Sequence, residues 1–163
     1  MTEFALSLIA IGLHELGHIA VARFLGIPVI SYSFKLIGIS IKFDFSGAGY
    51  IREGAVHLGG PIFGLVSALI TLVFFRENSY FFCGISTVLS CINLMPIKGF
   101  DGSGVLSCIL SHFCFPEISE KIQRAVSFFF LIVLWVAVLW IELRVGANLS
   151  LLAFVLFFMI NTT

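Results

Sequence analysis

The sequence predicts an all-α, polytopic membrane protein with one small β-hairpin: a three-helix core followed by about two further transmembrane helices. Of its 163 residues, 60% are hydrophobic and 11% are charged, and the mean hydropathy is +1.13. A soluble domain of this size could not bury so much apolar surface, because small globules leave much of their area in water. The bilayer is therefore the expected surrounding. The zero net charge, without a long basic run, argues against a nucleic-acid partner.

Five apolar stretches are candidates for crossing a hydrocarbon core about 30 Å thick, which takes roughly 20 helical residues. They cover residues 4–25, 54–75, 79–97, 122–143 and 147–162, the last being short. We expect two units, namely a core over residues 1–113 and C-terminal transmembrane helices over 114–163. The first stretch lacks a basic region before its apolar run, so it is interpreted as a retained helix and not as a signal peptide.

The segment between the first two stretches has a different pattern. Apolar residues alternate with polar or small ones from Ile37 to Phe45, and Gly47 and Gly49 follow. A period of two is typical of a strand, and the glycines are typical of a turn, so we expect a β-hairpin over about 37–51. An open strand edge cannot lie naked in lipid, so the hairpin is expected at the membrane surface or against protein.

The basic residues predict the orientation of the chain in the membrane. If the N-terminus lies outside, seven of the nine basic residues face the cytoplasm, and the reverse orientation would violate the positive-inside rule. The seven are Arg23, Lys35, Lys42, Arg52, Lys98, Lys121 and Arg124, whereas Arg76 and Arg144 face out. The hairpin and the 98–121 segment are therefore expected on the cytoplasmic side.

An H-E-x-x-H motif lies within the first apolar stretch, from His14 through Glu15 to His18. The i, i+4 spacing puts both imidazoles on one helical face, where they can share a metal ion. Glu15 lies beside them and can act as a general base toward water. Ionisable groups are costly in the middle of a membrane and point to function. The alternative is a polar cluster whose hydrogen bonds are satisfied between helices.

Asp101 is a candidate third ligand, since a catalytic zinc takes three protein ligands and leaves one position open. It follows Pro96 and Gly99, which are expected to break the third helix. Irregular backbone is tolerated at membrane depth where it lines a cavity, so Asp101 could project toward the first helix. From the spacing alone, Asp101 could equally be a turn residue or the N-cap of a helix over about 102–113.

Taken together, these motifs resemble those of the site-2 protease family of intramembrane metalloproteases. That family combines H-E-x-x-H in a first core helix with a later N-x-x-P-x-x-x-x-D-G pattern and a Gly-Pro element between them. The later pattern is met by Asn93, Pro96, Asp101 and Gly102, and the Gly-Pro element by Gly60 and Pro61. The resemblance covers about residues 4–113, and the small size is similar to that of sporulation-type members.

The resemblance implies a zinc-dependent endopeptidase that cleaves a single-span membrane protein in or near its transmembrane segment. It implies His14, His18 and Asp101 as zinc ligands and Glu15 as the catalytic base. It also implies an integral protein of the bacterial cytoplasmic membrane, with its active site toward the cytoplasm and room for a regulatory membrane partner.

The same resemblance implies how a substrate would be held. The hairpin would bind an unwound substrate segment by strand addition, and Asn93 would contact the substrate or stabilise the developing oxyanion. A packing hydrogen bond is the alternative for Asn93. The implied substrate-binding residues are Asn93, Pro96, Ile39 and Ile41. The chain departs from the family at Gly64, where asparagine is frequent, and at Ser103, where a second glycine is frequent.

Rival functions are a catalytically inactive metal-binding membrane scaffold or adaptor, and a zinc transporter. A scaffold would not need Glu15 together with all three ligands. A transporter would need a relay of ligands across several helices, and His57 and His112 do not form one. The four cysteines have no paired spacing and are interpreted as small apolar residues.

Overall fold

The computed structural model describes residues 2–35, 38–74 and 80–145. Within these residues, five helices and one two-stranded sheet follow one another along the chain. They are α1 (Thr2–Phe24), β1 (Val29–Lys35), β2 (Gly38–Phe43), α2 (Tyr50–Phe74), α3 (Tyr80–Asn93), α4 (Asp101–Phe113) and α5 (Pro116–Val145). The predicted fold class, a polytopic helical protein with a small hairpin, is confirmed.

Three of these helices, α1, α2 and α5, are long and apolar enough to cross a membrane, and α3 is a shorter apolar helix. The prediction that the third span continues to residue 97 is wrong, because α3 ends at Asn93. Pro96 disfavours helical backbone in the residue before it and has no amide to donate. The fifth predicted span, 147–162, lies outside the described residues. The orientation and the division at residue 113 stay predictions.

The break between α3 and α4 is a short ordered turn. The Ile97 amide donates to the Met95 carbonyl over 2.8 Å, and Gly99 has a φ of 98°, a conformation that favours glycine. α4 then begins at Asp101, and its N-cap, Phe100, makes no side-chain capping bond. The Asp101 side chain is therefore not used as an N-cap, which was one of the two roles that the spacing left open.

The hairpin lies earlier in the chain than the predicted range of 37–51. β1 and β2 pair antiparallel, with Tyr32 opposite Ile41 and Phe34 opposite Ile39. The predicted alternation therefore belongs to the second strand, and the β-branched and aromatic residues of β1 form the first. Residues 36 and 37, including Ile37 of the predicted alternation, lie outside the described residues.

The glycines that were assigned to the hairpin turn belong to the entry into α2. Gly47 has a φ of 104°, and the Gly49 carbonyl accepts the amides of Arg52 and Glu53. Next to this entry, Phe43 and Phe45 pack on a buried cluster. The cluster consists of Ala22, Ile27 and Val56. It ties the hairpin to the end of α1 and the first turns of α2.

α2 is the central helix, packed against α1, α3 and α4. It meets α1 where Gly17 opposes Gly59. A Cβ atom on Gly17 would collide with the Gly59 carbonyl and with the Cβ of Phe63, and one on Gly59 would lie 2.8 Å from the Gly17 carbonyl oxygen. Small residues at such crossings let helix backbones approach closely, which is how helices associate in a bilayer.

This crossing predicts a stability effect for Gly17→Ala. The added methyl group has no room, so α1 and α2 must separate, and overpacking of this kind typically costs about 1–3 kcal/mol. Gly12→Ala is the matched control on the same helix, because no atom of the described residues lies within 4 Å of a Cβ at Gly12. Thermal unfolding in detergent, followed by circular dichroism, should show a lower midpoint for Gly17→Ala than for Gly12→Ala. Equal midpoints would contradict the described crossing.

Candidate metal centre

The structure brings together the side chains of His14, His18 and Asp101. The Nε2 atoms of His14 and His18 lie 3.0 Å and 3.3 Å from Oδ2 of Asp101, and the two Nε2 atoms are 3.4 Å apart. Both histidines are buried, at 3% and 6% exposure, while the Asp101 side chain keeps 18%. The i, i+4 spacing on α1 supplies two of these groups, and the break before α4 supplies the third.

The spacing of the three atoms can be compared with that of zinc ligands. A tetrahedral zinc bound at roughly 2.0–2.1 Å by nitrogen and oxygen atoms separates its ligand atoms by about 3.3–3.4 Å. The three distances here, 3.0, 3.3 and 3.4 Å, lie close to that value. Across the described ranges, this is the group of His, Cys, Asp and Glu side chains that is close enough to hold a metal ion. The residues fit zinc in number, type and spacing.

The protonation of His18 supports the same interpretation. Its Nδ1 atom lies 2.8 Å from the Val56 carbonyl oxygen, which can only accept, so Nδ1 carries the proton. The Gly60 amide is farther from Nδ1, at 3.4 Å, and is the weaker contact. In the neutral ring, Nε2 of His18 then presents a lone pair to the Asp101 carboxylate. Two acceptors at 3.3 Å repel each other unless a cation lies between them.

Helix α2 shapes the centre with its backbone. A Cβ atom on Gly60 would collide with the imidazole ring of His18, so glycine at this position lets the ring lie against the helix. Pro61 lies inside α2 and has no amide to donate to the preceding turn. Five residues before Pro61, the Val56 carbonyl accepts a hydrogen bond from the His18 ring. A ligating histidine usually donates its second ring N–H to such a group, which sets its tautomer.

The second ring nitrogen of His14 has different surroundings from that of His18. The buried Nδ1 of His14 makes no hydrogen bond among the described residues. The tautomer of His14 is therefore not set by a protein partner in the way that the tautomer of His18 is.

Glu15 lies next to the centre without being part of the ligand group. Its side chain is half-buried and interacts electrostatically with His18, His14 and Asp101. A carboxylate in this position can accept a proton from a water molecule at the centre. Glu15 is not among the three side chains that could hold a metal ion, and its role as a general base stays a prediction.

Sequence reasoning assigned no role to His57, and the structure places it beside Asp101. His57 belongs to α2 and is far from Asp101 in the sequence. Its Nδ1 atom nevertheless lies 4.0 Å from Oδ1 of Asp101. No spacing rule could have found this contact, because it depends on how α2 packs against α4. His112, the other unassigned histidine, is exposed at the end of α4, and its ring meets the Phe113 ring edge to face.

The four residues with an implied role toward substrate lie in different places. The Asn93 side chain donates to the Leu89 carbonyl of its own helix, over 3.0 Å. Pro96 is half-buried in the turn between α3 and α4. Ile41 and Ile39 belong to β2, opposite Tyr32 and Phe34 of β1. The roles of all four toward a substrate stay predictions.

Comparison with known proteins supports the fold that the motifs imply. No protein-family profile matches the chain, and no curated protein matches it in sequence. Among solved structures, the chain is similar to the site-2 protease from Methanocaldococcus jannaschii, with a TM-score of 0.69 and 23% identity. The likeness covers 95% of this chain and 73% of that one. The chain therefore has the fold of a site-2 protease.

Proposed function

We propose that this chain is a zinc-dependent intramembrane endopeptidase that hydrolyses a peptide bond in or near the transmembrane segment of another membrane protein. His14, His18 and Asp101 would bind the zinc ion, and Glu15 would be the general base. The observation that carries the proposal is the convergence of three ligand atoms at zinc spacing, with a carboxylate beside them. The shared fold with a site-2 protease supports it.

The residues of the chain have defined tasks in this reaction. His14, His18 and Asp101 would hold the zinc ion, which would supply Lewis-acid chemistry toward water and the scissile carbonyl. Glu15 accepts a proton from the attacking water as the new C–O bond forms. It then returns that proton to the departing amide nitrogen as the C–N bond breaks, so that a carboxylic acid and an amine result.

The location of the centre suits a substrate within the membrane. His14 lies about 18 Å from the start of α1 and about 15 Å from its end, at 1.5 Å per residue. Glu15 is half-buried and Asp101 partly exposed, which gives water a route to the centre. Exposed basic residues lie at the end of α1, in β2 and at the start of α2, namely Arg23, Lys42 and Arg52. By the positive-inside rule, this end faces the cytoplasm.

The hairpin is suited to hold the substrate backbone. A helical segment shields its own carbonyls with hydrogen bonds, so it has to unwind before hydrolysis, and an outer strand edge offers replacement bonds. Phe43 and Phe45 pack on the cluster that contains Val56, whose carbonyl binds His18. The strand is thus attached to the helix turn that orients one of the ligands.

Zinc content is the first test of this function. We expect about one zinc per purified wild-type chain and much less in Asp101→Ala, because loss of the only carboxylate ligand leaves an incomplete site. Elemental analysis after dialysis against a chelator would measure both. Cys108→Ala is the matched control on the same helix, since Cys108 is not in the ligand group. Full, chelator-resistant occupancy in Asp101→Ala would remove Asp101 from the ligand set.

The second test separates catalysis from metal binding. Glu15→Gln should keep its zinc, because Glu15 is not a ligand, and should lose about 10²–10⁴-fold in cleavage rate, the usual loss when a general base is removed. A co-expression screen for single-span proteins that lose a fragment only when Glu15 is intact would supply the substrate. A variant that cleaves at the wild-type rate would rule out this mechanism, and zinc binding without any wild-type cleavage would favour a scaffold.

The third test concerns the hairpin edge. Successive amides of an antiparallel strand point alternately to the partner strand and to the open edge, so Ile41→Pro and Lys42→Pro remove donors on opposite sides of β2. Both variants should retain zinc, and their cleavage rates should fall to different extents. Ile41→Ala and Lys42→Ala are the controls, because they keep the amide. If both proline variants cleave as fast as the wild type, another surface holds the substrate.

A further inference from the structure

His57 approaches the Asp101 carboxylate at a different oxygen from the candidate ligands. The Nε2 atoms of His14 and His18 contact Oδ2, whereas Nδ1 of His57 lies 4.0 Å from Oδ1. The two oxygens of one carboxylate are thus divided between two sets of groups. Oδ2 belongs to the candidate metal centre, and Oδ1 faces α2.

The ring of His57 is held in place by two other elements. A Cβ atom on Gly104 of α4 would lie about 2.5–2.6 Å from three atoms of the ring, so only glycine leaves room for the ring there. The Phe45 ring lies on the hairpin side of α2, with centroids 5.8 Å apart and planes inclined by 39°. The side chain of His57 is 27% exposed. Its orientation toward Asp101 is therefore determined by packing.

From this geometry we infer that His57 is a positioning residue that holds Oδ1 of Asp101, so that Oδ2 stays directed at the ligand histidines. A separation of 4.0 Å exceeds a direct hydrogen bond and is a distance that one bridging water molecule can span. Without a partner on Oδ1, the carboxylate could rotate about its terminal torsion, which has broad minima. The inference rests on the proposed zinc site and adds a residue that neither motif contains.

A side chain that holds a metal ligand in place has a measurable effect on metal affinity. Loss of a group that hydrogen-bonds a ligand typically weakens metal affinity or activity by about 10–100-fold. Phe45 lies two residues after the end of β2, and its ring packs near the ring of His57. The position of the ring therefore depends on both the hairpin and α4.

The experiment compares two substitutions in the full-length chain purified in detergent, with zinc affinity measured by competition with a chromophoric chelator. His57→Phe keeps an aromatic ring between Phe45 and Gly104 but removes both nitrogens, and should bind zinc about 10–100-fold more weakly. His57→Asn loses the ring but retains a donor close to the position of Nδ1, and should bind within a few-fold of the wild type. His112→Phe, an exposed histidine elsewhere on the surface, should have no effect.

Each outcome decides the inference. Wild-type affinity in His57→Phe would overturn it, because the nitrogen would then be dispensable. Equal weakening in His57→Phe and His57→Asn would also overturn it, since the packing of the ring would then matter and the donor would not. A wild-type chain that binds no zinc would contradict the proposed function itself, and the inference with it. No cleavage assay is needed, so the two failures are distinguishable.

Discussion

Three electron-rich atoms are buried against one another within an apolar chain, and this arrangement carries a large free-energy cost that the rest of the structure must offset. The Nε2 atoms of His14 and His18 and Oδ2 of Asp101 lie within 3.4 Å of one another. Charged and polar groups are expensive to remove from water unless they are paired. A divalent cation held by these three residues, as proposed, would turn mutual repulsion into attraction. Much of the surrounding architecture can be understood as the means of bringing these atoms together and holding them.

The helices meet this requirement through small residues and one interruption. Gly17, Gly59 and Gly60 let α2 approach α1 closely enough for a backbone carbonyl to bind His18 and for the helix to lie against its ring. The turn after α3, with Gly99 at positive φ, allows Asp101 to begin a new helix facing α1. Each device uses backbone where a side chain would not fit, which is the usual solution when helices pack without a hydrophobic driving force.

The sequence predicted those parts of the site that depend on local periodicity. The i, i+4 spacing of His14 and His18 is a property of one helix, so it could be interpreted without a tertiary structure. Asp101 was ambiguous by spacing alone, and the resemblance to a known family was needed to favour it as a ligand. The hairpin was expected too late in the chain because alternation is clearer in β2 than in β1, where the β-branched and aromatic content carries the signal. His57 could not be found, since its contact with Asp101 arises from the packing of α2 against α4.

X-ray absorption spectroscopy at the zinc K-edge of the purified, zinc-loaded chain tests the central claim most directly. The four cysteines, all free in the structure, are rival zinc ligands that this measurement recognises, because a zinc–sulfur bond is longer than a bond to nitrogen or oxygen. We expect a first shell of nitrogen and oxygen atoms at about 2.0–2.1 Å, with the outer-shell scattering of two imidazole rings. A sulfur shell at about 2.3 Å, or the absence of imidazole scattering, would contradict the assignment of His14, His18 and Asp101 as the zinc ligands.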